Sequence, residues 1–226
     1  MSFRRAVVTY ILRGILNTLC KIDCREYVDA LSKNSPMLLA VNHVNFLEVP
    51  ILVTHSYPRY VTGLAKTETW DNRLFSFIFD TYRAIPIHRE GAFHEAFRKV
   101  QEAIGGGYCV IIAPEGTRSK DGVLGHGKAG IIYLSLDTGV PILPVAHFGG
   151  EHIWQNMKRI RRTPLCIRAG RPFRIKFEGR PDKGAREAIM DEVMGRMARL
   201  LPPDKRGSYT EQAERPDDAC RYLEFV

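Results

Sequence analysis

The chain has few of the residues that build cross-links. Its five cysteines, Cys20, Cys24, Cys109, Cys166 and Cys220, form no C-x-x-C pair, and the odd count argues against a disulfide framework. A reducing compartment is the expectation. None of the histidines stands at a metal-ligand spacing, so no metal is expected. The absence of fixed-period repeats and low-complexity tracts excludes solenoids and linker-like chains. No stretch holds the ~20 consecutive apolar residues that a spanning helix needs. Acidic residues are the minority, 25 against 33 lysines and arginines, for a formal net charge of +8. Such a surface favours anionic partners: an acidic membrane face, or phosphorylated substrates and carriers. A nucleic-acid partner would rest on charge alone, because no recognition module is present, and none is expected. With 226 residues and 45% hydrophobic content, the chain can bury a sizeable core in one domain.

The N-terminal segment "MSFRRAVVTYILRGILNTLCKI" starts with a basic pair and turns apolar, like a secretory signal. Arg13, Asn17 and Lys21 interrupt it, however, and no small-residue cleavage site follows. Arg5, Thr9, Arg13, Asn17 and Lys21 are spaced by four and form one stripe on a helix, with Val7, Val8, Ile11, Leu12, Ile15, Leu16 and Leu19 covering the rest. A basic stripe on a largely apolar helix suits the interface of an anionic bilayer. The alternative is a helix packed on the body of the protein. Residues 1–22 are read as this amphipathic membrane-interface helix, 23–202 as the catalytic or binding domain, and 203–226, after Pro202-Pro203, as a loose polar tail.

Within the domain, short apolar runs alternate with helical patterns. Strands are expected at Met37–Val41, in "RYVTGLAK", in "RAIPIHR", in "YCVIIAPEG" and in "VPILPVAHF". "LCIRAG" and "FRIKFEG" read as a hairpin or a pair of edge strands. Helices are expected from Phe46 to about Ser56, from Thr67 to about Tyr82, over Ala92–Ile104, from about Lys128 to Asp137, and over Lys183–Leu201. The alternation implies a single α/β domain with a largely parallel or mixed central sheet flanked by helices. Sites in such sheets collect in loops at the carboxyl ends of strands. The loops after Val41, Leu64 and Ala113 are therefore the candidates.

The first of these holds His43 and Glu48. Five residues apart on one helix they would point about 140° away from each other. With His43 in the preceding loop, the carboxylate can fold back, fix the histidine's tautomer and raise its basicity, as a general base requires. A plainer reading competes: Asn45-x-x-Glu48 fits a capping box, with Glu48 returning to the amide of Asn45. The third loop, "APEGTRS", compresses Glu115, Gly116, Thr117 and Arg118 into a turn after a buried strand. Glycine permits close backbone approach, and Arg118 can hold a phosphate bidentately. Lys66 and Arg89 follow other strands. Each alone is an ordinary surface base; converging with Arg118, they would suit a phosphate monoester. "KRIRR", Lys158 to Arg162, is a solvated basic loop or an aid to docking on an anionic membrane or on a phosphorylated carrier.

The ordered set "NHVNFLE", "AKTETW", "AIPIHR", "APEGTRS" and "VPILPV" resembles the PlsC-type glycerolipid acyltransferases, the 1-acyl-sn-glycerol-3-phosphate acyltransferases, from about Met37 to Val145. "HGKAGIIYLSLDTG" continues the likeness, with Lys128 and Gly130 on the family's lysine and glycine. The resemblance implies that His43 deprotonates a hydroxyl of lysophosphatidate, which attacks the thioester of acyl-CoA or acyl-carrier protein without an acyl-enzyme. Glu48 would orient His43. Arg118, with Glu115, Gly116 and Thr117, would hold the acceptor's phosphate and glycerol end, helped by Lys66 and Arg89, and Val140–Val145 would line the site. It further implies no cofactor beyond the acyl co-substrate, membrane lipids as partners, and a peripheral place on the cytoplasmic side of the membrane. One departure stands out: the family usually carries aspartate where this chain has Glu48, whereas the distantly similar lipid A acyltransferases often carry glutamate. Another acceptor (a glycolipid, an amine lipid or glycerol 3-phosphate) or a non-catalytic lipid-binding role are the alternatives.

Overall fold

Whether a strand here is buried on one face or two is decided by how its apolar residues alternate. The computed structural model describes residues 3–33, 36–87 and 93–226. In chain order its elements are α1 (Phe3–Leu19), β1 (Cys20–Asp23), α2 (Arg25–Lys33), β2 (Leu38–Val41), α3 (Glu48–His55), β3 (Val61–Lys66), α4 (Arg73–Tyr82), β4 (Ile85–Ile87), α5 (Phe93–Gly105), β5 (Cys109–Ile112), α6 (Gly130–Thr138), β6 (Ile142–Phe148), α7 (Ile153–Lys158), β7 (Thr163–Ala169), β8 (Phe173–Ile175), α8 (Lys183–Ala198), α9 (Thr210–Glu214) and β9 (Leu223–Phe225), joined in places by 3₁₀ turns. The sheet runs β1-β7-β6-β2-β5-β3-β4, with β8 on β6 and β9 on β8. Every pairing among β2, β3, β4, β5 and β6 on this path is parallel, as is β1 with β7. The β6–β7, β6–β8 and β8–β9 pairings are antiparallel. The fold is therefore the expected α/β domain with a mostly parallel mixed sheet.

The central strands are apolar on both faces because both are covered. Leu38, Ala40, Val110, Ile142 and Ala146 join one core with residues of α5, α6 and α8, such as Val100, Ile132 and Val193. Leu39, Val41, Ile111, Leu143 and Val145 join the other with Leu16, Tyr27, Ile51 and Leu52 of α1, α2 and α3. Among the described residues no helix is long and apolar enough to cross a membrane.

Five local expectations change. The helix foreseen over Thr67–Tyr82 is broken at Asn72, whose extended backbone starts α4 and whose side chain accepts from the amides of Leu74 (3.0 Å) and Phe75 (3.2 Å). β7 and β8 do not pair with each other. Both lie along β6, at Val145–Phe148 and at Ile142, and β7 is an interior strand because β1 covers its other edge. The boundary at residue 22 falls inside β1, so the N-terminal segment is part of the domain.

The stripe on α1 also divides: Arg5, Thr9 and Arg13 bind into the body of the domain, while Asn17 and, beyond the helix, Lys21 are exposed. Arg5 is buried, donates to the carbonyl of Arg59 at 2.7 Å and lies 4.4 Å over the Tyr60 ring. Thr9 shares a 2.8 Å hydrogen bond with the Tyr82 hydroxyl, and Arg13 donates to the carbonyl of Thr54 in the last turn of α3. Free carbonyls at a helix end attract cations, which explains why the basic side of α1 docks there. Phe3, Val7, Tyr10, Ile11 and Ile15 are left exposed.

The expected loose tail is folded. Residues 203–226 pack on α8 and extend the sheet, burying Tyr209, Ala213 and Leu223 in the first core. Arg196, 4% exposed on α8, binds Asp217 at 2.8 Å and the carbonyls of Gln212 and Arg215 at 2.9 and 2.8 Å. Few and widely spaced apolar residues hid this segment, since its donors come from another element. Leu223→Ala should therefore cost about 2–4 kcal/mol of stability, read as a lowered urea midpoint, where a loose tail would give no change.

Candidate active site

β2 and β5 are parallel neighbours, so the loops leaving their carboxyl ends lie side by side. His43 leaves β2 and Glu115 leaves β5. The two loops are bound to each other through backbone groups of His43. Its amide donates to Oε1 of Glu115 at 2.8 Å, and its carbonyl accepts from the amide of Ser119 at 2.7 Å. The second oxygen of Glu115 accepts from the amide of Gly125 at 2.9 Å. Glu115 is thus turned inward, 4% exposed, and braces the loops instead of facing the opening. Burial pushes its pKa above the ordinary value, and the two amides act against that rise.

Glu48 is the first residue of α3 and is buried. One carboxylate oxygen takes the hydrogen bond of His43 Nδ1. The other accepts from the amide of Asn45 at 2.9 Å and lies 2.9 Å from Nε2 of His147. The contact with the Asn45 amide and the contact with His43, which the sequence set against each other, coexist on separate oxygens, but the capping box itself is not formed, because the N-cap of α3 is Leu47 and has no side-chain cap. Asn45 itself accepts from the amide of Leu47 at 2.8 Å. Burial raises the Glu48 pKa, but the hydrogen bonds from His147 and His43 outweigh it and hold the group at about 2.

His147 is a residue that spacing alone did not single out. It lies in β6 on the face of Leu143 and Val145, two positions past the Val41–Val145 pair, level with the loop that holds His43. Alternation along β6 places it there, and a polar residue on the apolar face at a strand's carboxyl end was the available signal. Asn42 prolongs the ladder with its side chain: its amide nitrogen donates to the His147 carbonyl at 3.0 Å, and its oxygen accepts from the His147 amide at 2.8 Å. Nε2 of His147 also lies 2.9 Å from the Asn42 carbonyl. Both neighbours of Nε2 are acceptors, so this nitrogen carries a hydrogen, while Nδ1 is buried without a hydrogen-bond partner among the described residues.

The opening carries cations. Gly116, Thr117 and Arg118 are exposed. Gly116 adopts φ +67°, and a Cβ there would lie 2.9 Å from Nζ of Lys128, so the lysine folds over this turn. Its amide donates to the Pro114 carbonyl at 2.8 Å. Lys66 is exposed at the end of β3, which pairs in parallel with β5 and so opens on the same end of the sheet. Arg89 lies outside the described residues. His43 Nε2 has no hydrogen-bond partner among the described residues, and its side chain is 31% exposed. No group of three or more His, Cys, Asp or Glu among the described residues is placed to hold a metal.

Residues 22–147, more than half of the chain, match the acyltransferase family. The chain belongs to that family. A 1-acyl-sn-glycerol-3-phosphate acyltransferase of Cocos nucifera is 28% identical over 145 residues, covering 62% of this chain and 47% of that protein. The Brassica napus chloroplast protein of the same name, BAT2, is 28% identical over 131 residues, covering 57% and 38%. This acyltransferase-family chain spans less than half the length of either relative. The crystal structure of PlsC, an LPA acyltransferase from Thermotoga maritima, shares the fold with a TM-score of 0.54 at 20% identity, covering 85% of this chain and 81% of that one.

Two measurements probe the buried charge. The folded pKa of Glu48, about 2, lies below its ordinary 4.5, so its ionisation stabilises the fold above that range. The contribution is lost as pH falls from about 4.5 to about 2, and urea midpoints of Glu48→Gln should decline less steeply across that window than those of the parent. His147→Phe removes one donor to Glu48. Carboxyl NMR should then find the Glu48 titration moved up toward the ordinary range, with His147→Gln, which keeps an N–H, moving it less.

Proposed function

We propose that the protein transfers a fatty acyl group from the thioester of acyl-CoA or acyl-carrier protein to a hydroxyl of lysophosphatidate, in phospholipid synthesis. The observation that carries this reading is the setting of His43: Nδ1 is committed to the ionised Glu48, Nε2 has no hydrogen-bond partner among the described residues in a side chain 31% exposed, and the backbone of His43 is bonded on either side of the exposed Gly116–Arg118 turn, to Glu115 and Ser119.

His43 Nε2 takes the proton of the acceptor hydroxyl as its oxygen attacks the thioester carbonyl. The carbon–sulfur bond then breaks, and the thiolate leaves with the proton that His43 returns. Glu48 keeps the hydrogen on Nδ1 and balances the imidazolium that forms between these steps. His147 is a positioning residue for Glu48. Arg118 and Lys128, with Lys66 and Arg89, bind the acceptor's phosphate, and Thr117 and the Gly116 backbone add polar contacts. Glu115 contributes through the loops it holds.

The acceptor is a membrane lipid, so the protein works at the cytoplasmic surface of an anionic membrane. The exposed apolar face of α1, with Phe3, Tyr10, Ile11 and Ile15, supports this peripheral attachment. Because the basic face of α1 is built into the domain, the attachment is tested by point changes. Ile11→Glu with Ile15→Glu should release the folded protein from anionic vesicles in a sedimentation assay.

Activity is tested with purified protein, an acyl-CoA and acyl-carrier protein panel, and several lyso-acceptors in mixed micelles. His43→Ala should lose roughly 10²–10⁴-fold in rate. Arg118→Ala should chiefly raise the KM for a phosphorylated acceptor. Transfer that needs no phosphate on the acceptor would replace lysophosphatidate with another lipid. No transfer to any acceptor would leave a lipid-binding role.

A further inference from the structure

The basic loop that follows α7 has no part in the chemistry above, yet its construction is unusual. α7 ends in a closed turn: the amide of Ile160 donates to the Met157 carbonyl at 3.0 Å, and that of Arg161 to the Asn156 carbonyl at 2.9 Å. The position after the helix cap in such a turn adopts left-handed backbone and is ordinarily glycine. Here it is Ile160, at φ +52°, a conformation that β-branched side chains avoid. Its side chain is 98% exposed. A fully exposed isoleucine held in an unfavourable backbone conformation has no folding rationale within the chain.

The surroundings indicate what covers it. Lys158, Arg159, Arg161 and Arg162 flank Ile160, all exposed and without an ion-pair partner among the described residues. A cation suits the end of α7, which accounts for Lys158, and Arg162 has a backbone carbonyl to bind, but Arg159 and Arg161 have no such role among the described residues. On the same short helix Trp154 is 57% exposed and stacks on Phe46, 45% exposed, with ring centroids 5.3 Å apart at 25°. Phe46 lies in the loop between His43 and Glu48. On the other side, Arg162 donates to the carbonyl of Cys20 at 2.9 Å, and Cys20, which follows α1 directly, is in register with Thr163. The patch therefore runs from the end of α1, through the basic loop, to the mouth of the candidate active site.

We propose that this patch is a second membrane-docking element, in which Ile160 and the Trp154–Phe46 pair enter the headgroup region of an anionic leaflet while the four flanking cations bind lipid phosphates. Tryptophan at the boundary of apolar and polar zones and clustered arginine beside apolar side chains are the chemistry of such a surface. An acidic carrier protein would meet the cations but would give the protruding isoleucine no apolar layer to enter. The inference rests on the reading of the acceptor as a membrane lipid. It seats the His43 opening on the leaflet, so that a lipid headgroup reaches the site without leaving the bilayer.

Trp154 reports on this directly. In a Trp70→Phe protein it is the single tryptophan. Its emission should shift to the blue on vesicles of mixed phosphatidylglycerol and phosphatidylcholine and be quenched by lipids brominated on their acyl chains. Arg159→Glu with Arg161→Glu should weaken vesicle binding roughly tenfold or more. Unchanged Trp154 emission in protein that sediments with vesicles would overturn the proposal, leaving α1 as the anchor. A shift produced by acyl-carrier protein without lipid would replace the membrane with a protein partner. These readings need no turnover, so they stand apart from the acyl-transfer assay. Ile160→Asp should lower turnover of a vesicle-borne acceptor and spare that of a short-chain soluble one. Equal loss on both would mean a structural role and sink the idea.

Discussion

An ionised carboxylate withdrawn from water costs several kcal/mol unless donors surround it, and the end of the sheet is arranged around one such group, Glu48. The donors come from separate parts of the chain: the amide of Asn45 and the ring of His43 from the loop after β2, and the ring of His147 from β6. Each hydrogen bond to the charge is worth about 1.5–3 kcal/mol. Together they fix the start of α3, the tautomer of His43 and the register between a loop and a neighbouring strand. The Glu48 side chain reaches two ways: one oxygen goes to His43, and the other to both the loop amide and the adjacent strand.

Glu115 performs a complementary task with its backbone partners. By accepting from the amides of His43 and Gly125 it joins two loops, while the Ser119 amide holds the His43 carbonyl. His43 is thereby restrained through its ring and through both of its backbone polar groups before any substrate arrives. Preorganisation of this kind is what the general-base role proposed for His43 requires. The same short motif divides its labour by burial: the acid points in, and Gly116, Thr117 and Arg118 point out.

Charge and apolarity are also reversed at the periphery. α1 turns arginines toward the helix-end carbonyls and aromatic rings of the body and leaves Ile11 and Ile15 outside. The loop after α7 raises Ile160 between cations. Both arrangements present apolar side chains outward on a chain of net charge +8, which is the combination an anionic lipid surface selects.

Periodicity made the central strands, most helices and the alternating α/β order legible, because burial on two faces demands unbroken apolar runs and crossover helices demand a 3.6-residue period. Local motifs likewise marked His43, Glu48 and the Glu115–Arg118 turn. Pairing across the chain decided the rest. His147 meets Glu48 only because β6 lies beside β2. Glu115 faces inward because the amide of His43, 72 residues away, offers it a donor. Residues 203–226 fold because α8 supplies Arg196 and an apolar surface, neither of which their own composition reveals. The spacing of the α1 stripe determined that one face is basic. Which way that face turns was settled by the carbonyls of Thr54 and Arg59 and the ring of Tyr60, because a buried guanidinium needs acceptors that only the folded chain provides.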